Sequence, residues 1–444
     1  MEHQVLEALN SDKYSKLNEI FTSSWLTLGQ GEQRSLSAYF IKAALSSATF
    51  LPTAFSSENE LALNVMKITL AHLPPSVENA QDNILRLKIF DHLVETVQDF
   101  HAAAIILSEY RMEDGNGDTN GNGNGNGNQN ESNPYYASPA TKTDIYVKIA
   151  ECFLQEDLVV EADAFVTRAG AAVEILNFQN SNAAADANEN ENEIDDAEVD
   201  ADADADADAE KSSNDEHIAL ILRYKSTYAR ILDANRKFLQ AASRYFDLAT
   251  IGSQTDIIDD DDLIEFLGRA ATCAILAPSS AQRQRVLGLV YNDERLLQLD
   301  SIEHFSTHSS ILTKMYKEQV IWRDQDLKQF EDSLADHQRA QMSDGLTIVQ
   351  RALIEHNMVA VSQIYSNIYF TALGQLLGLS SERAEKIASK MILDGSLKAS
   401  IDQLDGVLTF SDQGSSSSLV SWDGAITSFC TQLNSVTDAV RQYA

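Results

Sequence analysis

Over most of the 444-residue chain, apolar residues recur three and four positions apart, the spacing that gathers them on one face of an α-helix. Phe90, Leu93, Val94 and Val97 form one such stripe, with Phe100 close behind. Ile145, Ile149 and Phe153 with Leu154 form a second, and Ala162, Phe165, Val166 and Ala169 a third. The predicted helices are short and come in pairs: 144–155 with 158–176, 218–233 with 237–249, and 263–276 with 279–291. Small residues mark the close crossings, at Ala102 to Ala104, at Ala162 and Ala164, and at Ala241 and Ala242. Ser279 and Gln282 have the capping-box spacing that starts a helix. Antiparallel helix pairs with small residues at their contacts predict a mainly α fold, a TPR-like solenoid of stacked pairs with no fixed period.

The pattern changes after about Tyr365. Leu373, Leu376 and Leu377 predict one short helix. Ser380 or Ser381 caps the next, in which Ala384, Ile387, Ala388 and Met391 share a side, and Asp394-Gly395 stops it. Leu397, Ala399 and Ile401 then alternate with Lys398, Ser400 and Asp402. Asp405-Gly406 is a hairpin turn signal, and Val407 to Phe410 supply the return strand. Two helices followed by a hairpin make a winged helix-turn-helix.

A last helix is predicted from about Ser421, after Gly414 and a run of serines. Its apolar residues are Trp422, Ile426, Phe429, Leu433, Val436, Val440 and Tyr443, whose steps of four and three alternate as in a heptad seam. A helix of about 22 residues is roughly 33 Å long and marginal by itself in water. A narrow seam suits a helix bundle better than a broad core face does, so these seven residues are the candidate interface with partner helices. Folding back on the chain's own domain is the alternative.

Composition adds two interruptions. Residues 115–133 are nearly pure Gly-Asn, with too little apolar area to offset backbone entropy. Residues 180–215 hold an Ala-Asp alternation from Asp200 to Ala209, where same-face carboxylates repel in a strand. Both are expected to be disordered insertions, since long surface-loop expansions cost little. An acidic lure for a basic partner is the other reading of the second. Residues 186–216 carry fifteen acidic side chains and one Lys, a large part of the net charge of −34. Such a surface disfavours nucleic acid and anionic membranes as partners. No run of about eighteen apolar residues occurs, and the N-terminus lacks a signal pattern. Cys152, Cys273 and Cys430 lie far apart, which points to reduced thiols in the cytoplasm or nucleus.

Catalytic patterns are absent from the sequence. A metal-dependent isopeptidase needs two histidines one residue apart, a downstream aspartate and a glutamate base, and this chain has nine histidines but no His-X-His. His304 and His308 lie four apart without a third ligand, and are read as helix-surface histidines. His356 is read as a capping or packing histidine near a helix end. There is no phosphate loop and no nucleophile elbow. No catalytic, metal or cofactor residue is therefore expected. DNA binding is the rival use of a winged helix. In its second helix Arg383, Lys386 and Lys390 are offset by Glu382, Glu385 and Asp394, whereas a DNA reader carries a basic stripe. The winged helix is accordingly expected to serve assembly, with Leu397, Ile401, Val407 and Phe410 as its candidate edge.

A helical-pair solenoid, a winged helix and a terminal helix, in that order, resemble the PCI family of scaffold subunits. The matching stretches include Tyr146 to Ala150, Tyr228 to Asp233 with Arg236 to Phe238, Asn292 to Arg295, and Lys314 to Tyr316. They continue with His337-Gln338, Ile354 to Asn357, Ala384 to Ser389 with Met391-Ile392, and Ile401 to Gln403 with Asp405-Gly406. Asp99-Phe100, Ala102-Ala103 and Leu107 carry the likeness further upstream. These stretches favour the signalosome branch over the proteasome-lid and translation-initiation branches. The resemblance implies a non-catalytic member of the complex that removes a ubiquitin-like modifier from cullin–RING ligases. It implies contacts to other subunits through the winged helix and C-terminal helix, and an N-terminal arm reaching toward the ligase. The expected layout is an arm over 1–114, repeats over 134–179 and 216–340, and a PCI winged helix over 341–411. A linker over 412–420 and the bundle helix over 421–444 complete it.

Overall fold

The computed structural model describes residues 5, 14–25, 28–46, 60–72, 80–112, 135–190, 203–252, 258–322, 325–342, 345–410 and 422–433. The Gly-Asn segment lies outside them. The chain divides into two compact units, 1–231 and 232–444.

In the first unit the helices are α1 (Tyr14–Glu19), α2 (Gln30–Ser46), α3 (Glu60–Ala71), α4 (Gln81–His92), α5 (Phe100–Ser108), α6 (Pro139–Gln155), α7 (Val159–Asn190) and most of α8 (Ala203–Ala234). One apolar core runs through the unit, with Phe21, Phe40, Leu85, Ile89, Leu107 and Ile149 at its centre. The stripe from Phe90 to Phe100 is not one helix. Gln98 turns left-handed at φ 58°, and the Asp99 side chain then accepts a hydrogen bond from Ala102 N to start α5. Val97, just before that break, is left 51% exposed. Helix α6 starts on Ser138, which accepts from Thr141 N, with Pro139 in the first turn where its missing N–H costs nothing. Ile145, Ile149, Ala162 and Val166 are buried as their spacing predicted.

Two of the three predicted helix pairs share one turn. Leu158 N donates to Phe153 O (2.9 Å) and Asp157 N to Leu154 O (3.3 Å), with Asp157 at φ 58°. The same two bonds recur at Lys237 and Arg236 (φ 59°), and at Gln319 and Glu318 (φ 53°). This Schellman closure satisfies the last carbonyls of a helix and reverses the chain at once.

Helices α7 and α8 enter the segment expected to be disordered from both sides, to Asn190 and from Ala203. Alanine is the strongest helix former, and carboxylates in a helix's first turns complement its dipole. Residues 191–202 lie outside the described set.

The second unit continues with α9 (Phe238–Gly252), α10 (Asp260–Leu276), α11 (Ala281–Tyr291), 3-10 turns at Glu294–Ser301 and Glu303–Phe305, α12 (His308–Tyr316) and α13 (Gln325–Ser333). Ser280, not Ser279, caps α11, accepting from Arg283 N. Ser279 N instead donates to Glu355 Oε2 at 3.1 Å. Gly268 lies where an added Cβ would meet Phe305 and Leu299 carbons at 2.8 and 2.9 Å, so this crossing needs glycine.

The histidines fall differently from expectation. His304 is exposed, but His308 is buried and packs edge-on between Phe305 and Phe330. The chain turns between them at Ser306-Thr307, so they do not share a helix. His356 is buried in the middle of α14 (Ile348–Ile364), with a ring nitrogen 2.9 Å from Gln319 O. Burial pushes both imidazoles down to about 4. In the unfolded chain each titrates near 6.5, so below that pH the unfolded state takes up more protons. Stability is therefore full above pH 6.5 and falls toward pH 4, by about 2 kcal/mol per histidine at pH 5. Melting curves at stepped pH check this: His308→Leu flattens the descent between pH 6.5 and 4.5, and an unchanged slope contradicts it.

Helix α14 is followed by β1 (Asn367–Tyr369), α15 (Phe370–Leu377), α16 (Ser381–Leu393), β2 (Ala399–Asp402) and β3 (Val407–Phe410). Gly378 and Gly395 close α15 and α16 at φ 68° and 72°, and Gly406 turns the hairpin at φ 64°. The sheet order is β1-β3-β2, with both pairings antiparallel. Met358, Leu373, Ala384, Ala388, Met391 and Leu408 form the core beneath it.

Candidate functional site

Residues 422–433 form a helix, α17, in which every residue is exposed. Trp422 is 69% exposed and Phe429 64%, with Ile426 and Leu433 about half exposed. An aromatic-aliphatic stripe that its own chain leaves in water marks an interaction surface. Val436, Val440 and Tyr443 lie outside the described residues.

The expected sheet edge is placed otherwise. Val407 and Phe410 belong to β3, the central strand, which bonds to neighbours on both sides. Leu397 and Phe410 are buried in the winged-helix core, and Ile401, on edge strand β2, is half-buried against that core. The reason is the third strand. Asn-Ile-Tyr is too short to show alternation, yet β1 covers the flank of β3 that a lone hairpin leaves open. The other edge is therefore β1. Phe370 N donates to Gly406 O and Phe410 N to Ser366 O, so Ile368 faces β3 while the backbone groups of Asn367 and Tyr369 point outward. Exposed Ile364, Tyr365 and Tyr369 flank this edge. A short strand with unpaired backbone groups and apolar neighbours is a template for another chain.

The stretches that carry the family likeness are mechanical. In Ile354 to Asn357 three consecutive buried polar residues each tie down a different segment. Glu355 accepts from Ser279 N and from Arg351 Nε (2.9 Å), and His356 meets Gln319 O. Asn357 clamps Ile321 from both sides, accepting from its N–H and donating to its carbonyl, each at 2.8 Å. Asp293 forks onto Arg295, whose Nη1 donates to Ala249 O at the end of α9. The fork holds the Asp293 carboxyl below its ordinary range against the opposing effect of burial. Gln338 Nε2 donates to both Asp233 oxygens at 3.0 Å. Each of these groups ties together segments that are distant in sequence.

Among the described residues no group of three or more His, Cys, Asp or Glu side chains is placed to hold a metal ion. Among them, too, no helix is long and apolar enough to cross a membrane. Cys152 and Cys273 are buried free thiols, and burial pushes Cys152 up to about 12 and Cys273 well above its ordinary value. Cys430 is exposed on α17.

A PCI domain signature matches residues 330–412, which spans the end of α13, α14 and the whole winged helix. The chain is 33% identical to COP9 signalosome complex subunit 4 of Dictyostelium discoideum over 313 residues, 70% of this chain and 66% of that protein. It is 31% identical to COP9 signalosome complex subunit 4 of Arabidopsis thaliana over 388 residues, 86% of this chain and 81% of that one. The chain belongs to the signalosome subunit 4 family. The protein of that name in Caenorhabditis elegans is 39% identical over 219 residues, 49% of each chain. Coverage thus ranges from about half of some subunit 4 relatives to four fifths of another. The subunit 4 family membership and the PCI match agree with the fold, a helical-pair solenoid that ends in a winged helix.

Proposed function

We propose that this chain is a non-catalytic scaffold subunit of a signalosome, the complex that removes a ubiquitin-like modifier from cullin–RING ubiquitin ligases. The observation that carries the proposal is the exposed seam of α17, where Trp422, Ile426 and Phe429 are each about half exposed or more. Such a helix gains its stability from partners, and the seam from Trp422 to Tyr443 has the spacing for a bundle built from the terminal helices of several subunits. The winged helix adds a second contact through strand β1, by backbone pairing with a neighbouring subunit. The N-terminal arm reaches toward the cullin–RING ligase, and the protein works in cytoplasm and nucleus. The names of the relatives favour a signalosome over the lid or an initiation complex.

Reconstitution tests this. Purified full-length chain should release no modifier from a modified cullin, while the complete complex should. The complex assembled without this chain should lose most of that rate. Cleavage by the isolated chain, or full activity without it, would overturn the proposal.

A further inference from the structure

The neutral balance of α16 conceals a separation of charge. Arg383, Lys386 and Lys390 follow one another at steps of three and four, so they share a helix face. That face borders a cavity of about 580 Å³, while Glu382 and Glu385 do not line it. Arg351, from α14, adds a fourth cation to the lining, and only Glu355 and Asp394 oppose the four. Arg351 is already engaged by Glu355. Among the described residues, Arg383, Lys386 and Lys390 have no carboxylate within salt-bridge distance. In a chain of net charge −34 a cationic rim of this kind is local and specific. Below the rim the floor is aliphatic, from Leu346, Ile387 and Met391.

We infer that this cavity is a peptide-binding site that takes an acidic segment with an aliphatic anchor, supplied by a partner protein. The size falls within the usual range for a ligand pocket of about 300–1,000 Å³. The mixed lining selects the class of ligand. A charged rim over an apolar floor matches a segment whose carboxylates meet Arg383, Lys386 and Lys390 while an aliphatic side chain enters between Ile387 and Met391. Arg383 and Lys390 are two helical turns apart, about 10 Å, the length of roughly three residues of extended chain. Nucleic acid is the poorer fit, because a long polyanion meets the field of the whole acidic molecule as well as the rim. The site goes beyond the scaffold role, and it does not use strand β1 or α17.

Fluorescence anisotropy with the full-length chain tests it. The probe is a labelled peptide of about a dozen residues alternating Glu with Leu, at about 0.15 M salt. Arg383→Glu/Lys386→Glu/Lys390→Glu should weaken binding about 30-fold, and the milder Arg383→Gln/Lys390→Gln about fivefold. All these positions are exposed, so melting temperatures should match wild type. The milder pair serves if the triple variant does not fold. Glu382→Lys/Glu385→Lys, off the cavity, should leave the affinity within about twofold. A peptide with Ser in place of Leu should bind about tenfold more weakly. Absence of peptide binding, equal binding by the rim variants, equal binding of the Ser peptide, or tighter binding of duplex DNA would each overturn the inference.

Discussion

Phe429→Asp should release the full-length chain from a complex joined through α17 and leave the chain's own fold intact. Phe429 is 64% exposed on α17, so a carboxylate there meets water in the free protein. Surface substitutions of this kind stay within about 0.5 kcal/mol, and the melting temperature of the isolated chain should move by about a degree at most. In a bundle the same carboxylate is buried among apolar side chains without a partner. Losing a buried aromatic and stranding a charge together cost about 3–5 kcal/mol, or two to three and a half powers of ten in affinity. Size-exclusion chromatography of a tagged variant should then show the chain eluting apart from the complex. Trp422→Asp, one end of the same seam, should act in the same direction. Unchanged co-elution of both variants would mean that α17 is not the joint.

Arg283→Ala should strongly destabilise the second unit. The guanidinium is buried, and it donates from Nε to Ala274 O and from Nη2 to Ile275 O, each at 3.0 Å. Those carbonyls belong to the last turn of α10, where no N–H of the helix itself can reach them. Arg283 therefore caps α10 from the first turn of α11 and places a cation at the negative end of its dipole. Burial lowers the guanidinium to about 10, still well above neutral, so the charge is present at physiological pH. Alanine leaves two buried acceptors unsatisfied, at about 1–3 kcal/mol each, and a cavity against Met315. The expected loss is about 3–5 kcal/mol in urea unfolding. A loss below about 1 kcal/mol would show that water replaces the guanidinium.

The helices were legible because burial imposes their period. Ile145, Ile149, Ala162 and Val166 each lie at under 2% exposure. The hairpin was legible because Asp405-Gly406 supplies the positive φ that its turn needs. What escaped the sequence depends on contacts between distant residues. Strand β1 has three residues and exists only through its pairing with β3, so Val407 and Phe410 looked like an edge and are a centre. His356 looked like a helix-end residue because nothing local shows that Gln319 waits opposite it. The basic face of α16 vanished in a count of charges, since a sum carries no direction and a helix face does. The seam was read from spacing alone, and the four of its residues that the structure describes, Trp422, Ile426, Phe429 and Leu433, are exposed.

Membership of a signalosome through the C-terminal helix is tested most directly by affinity purification of the full-length tagged chain from its own cells. The Phe429→Asp variant is purified beside it, with mass spectrometry of the co-purifying proteins. The wild-type chain is predicted to bring down a set of signalosome subunits in near-equal amounts, and the variant to lose them together. Recovery of proteasome-lid or initiation-complex subunits instead, or of the same set with both chains, would contradict it.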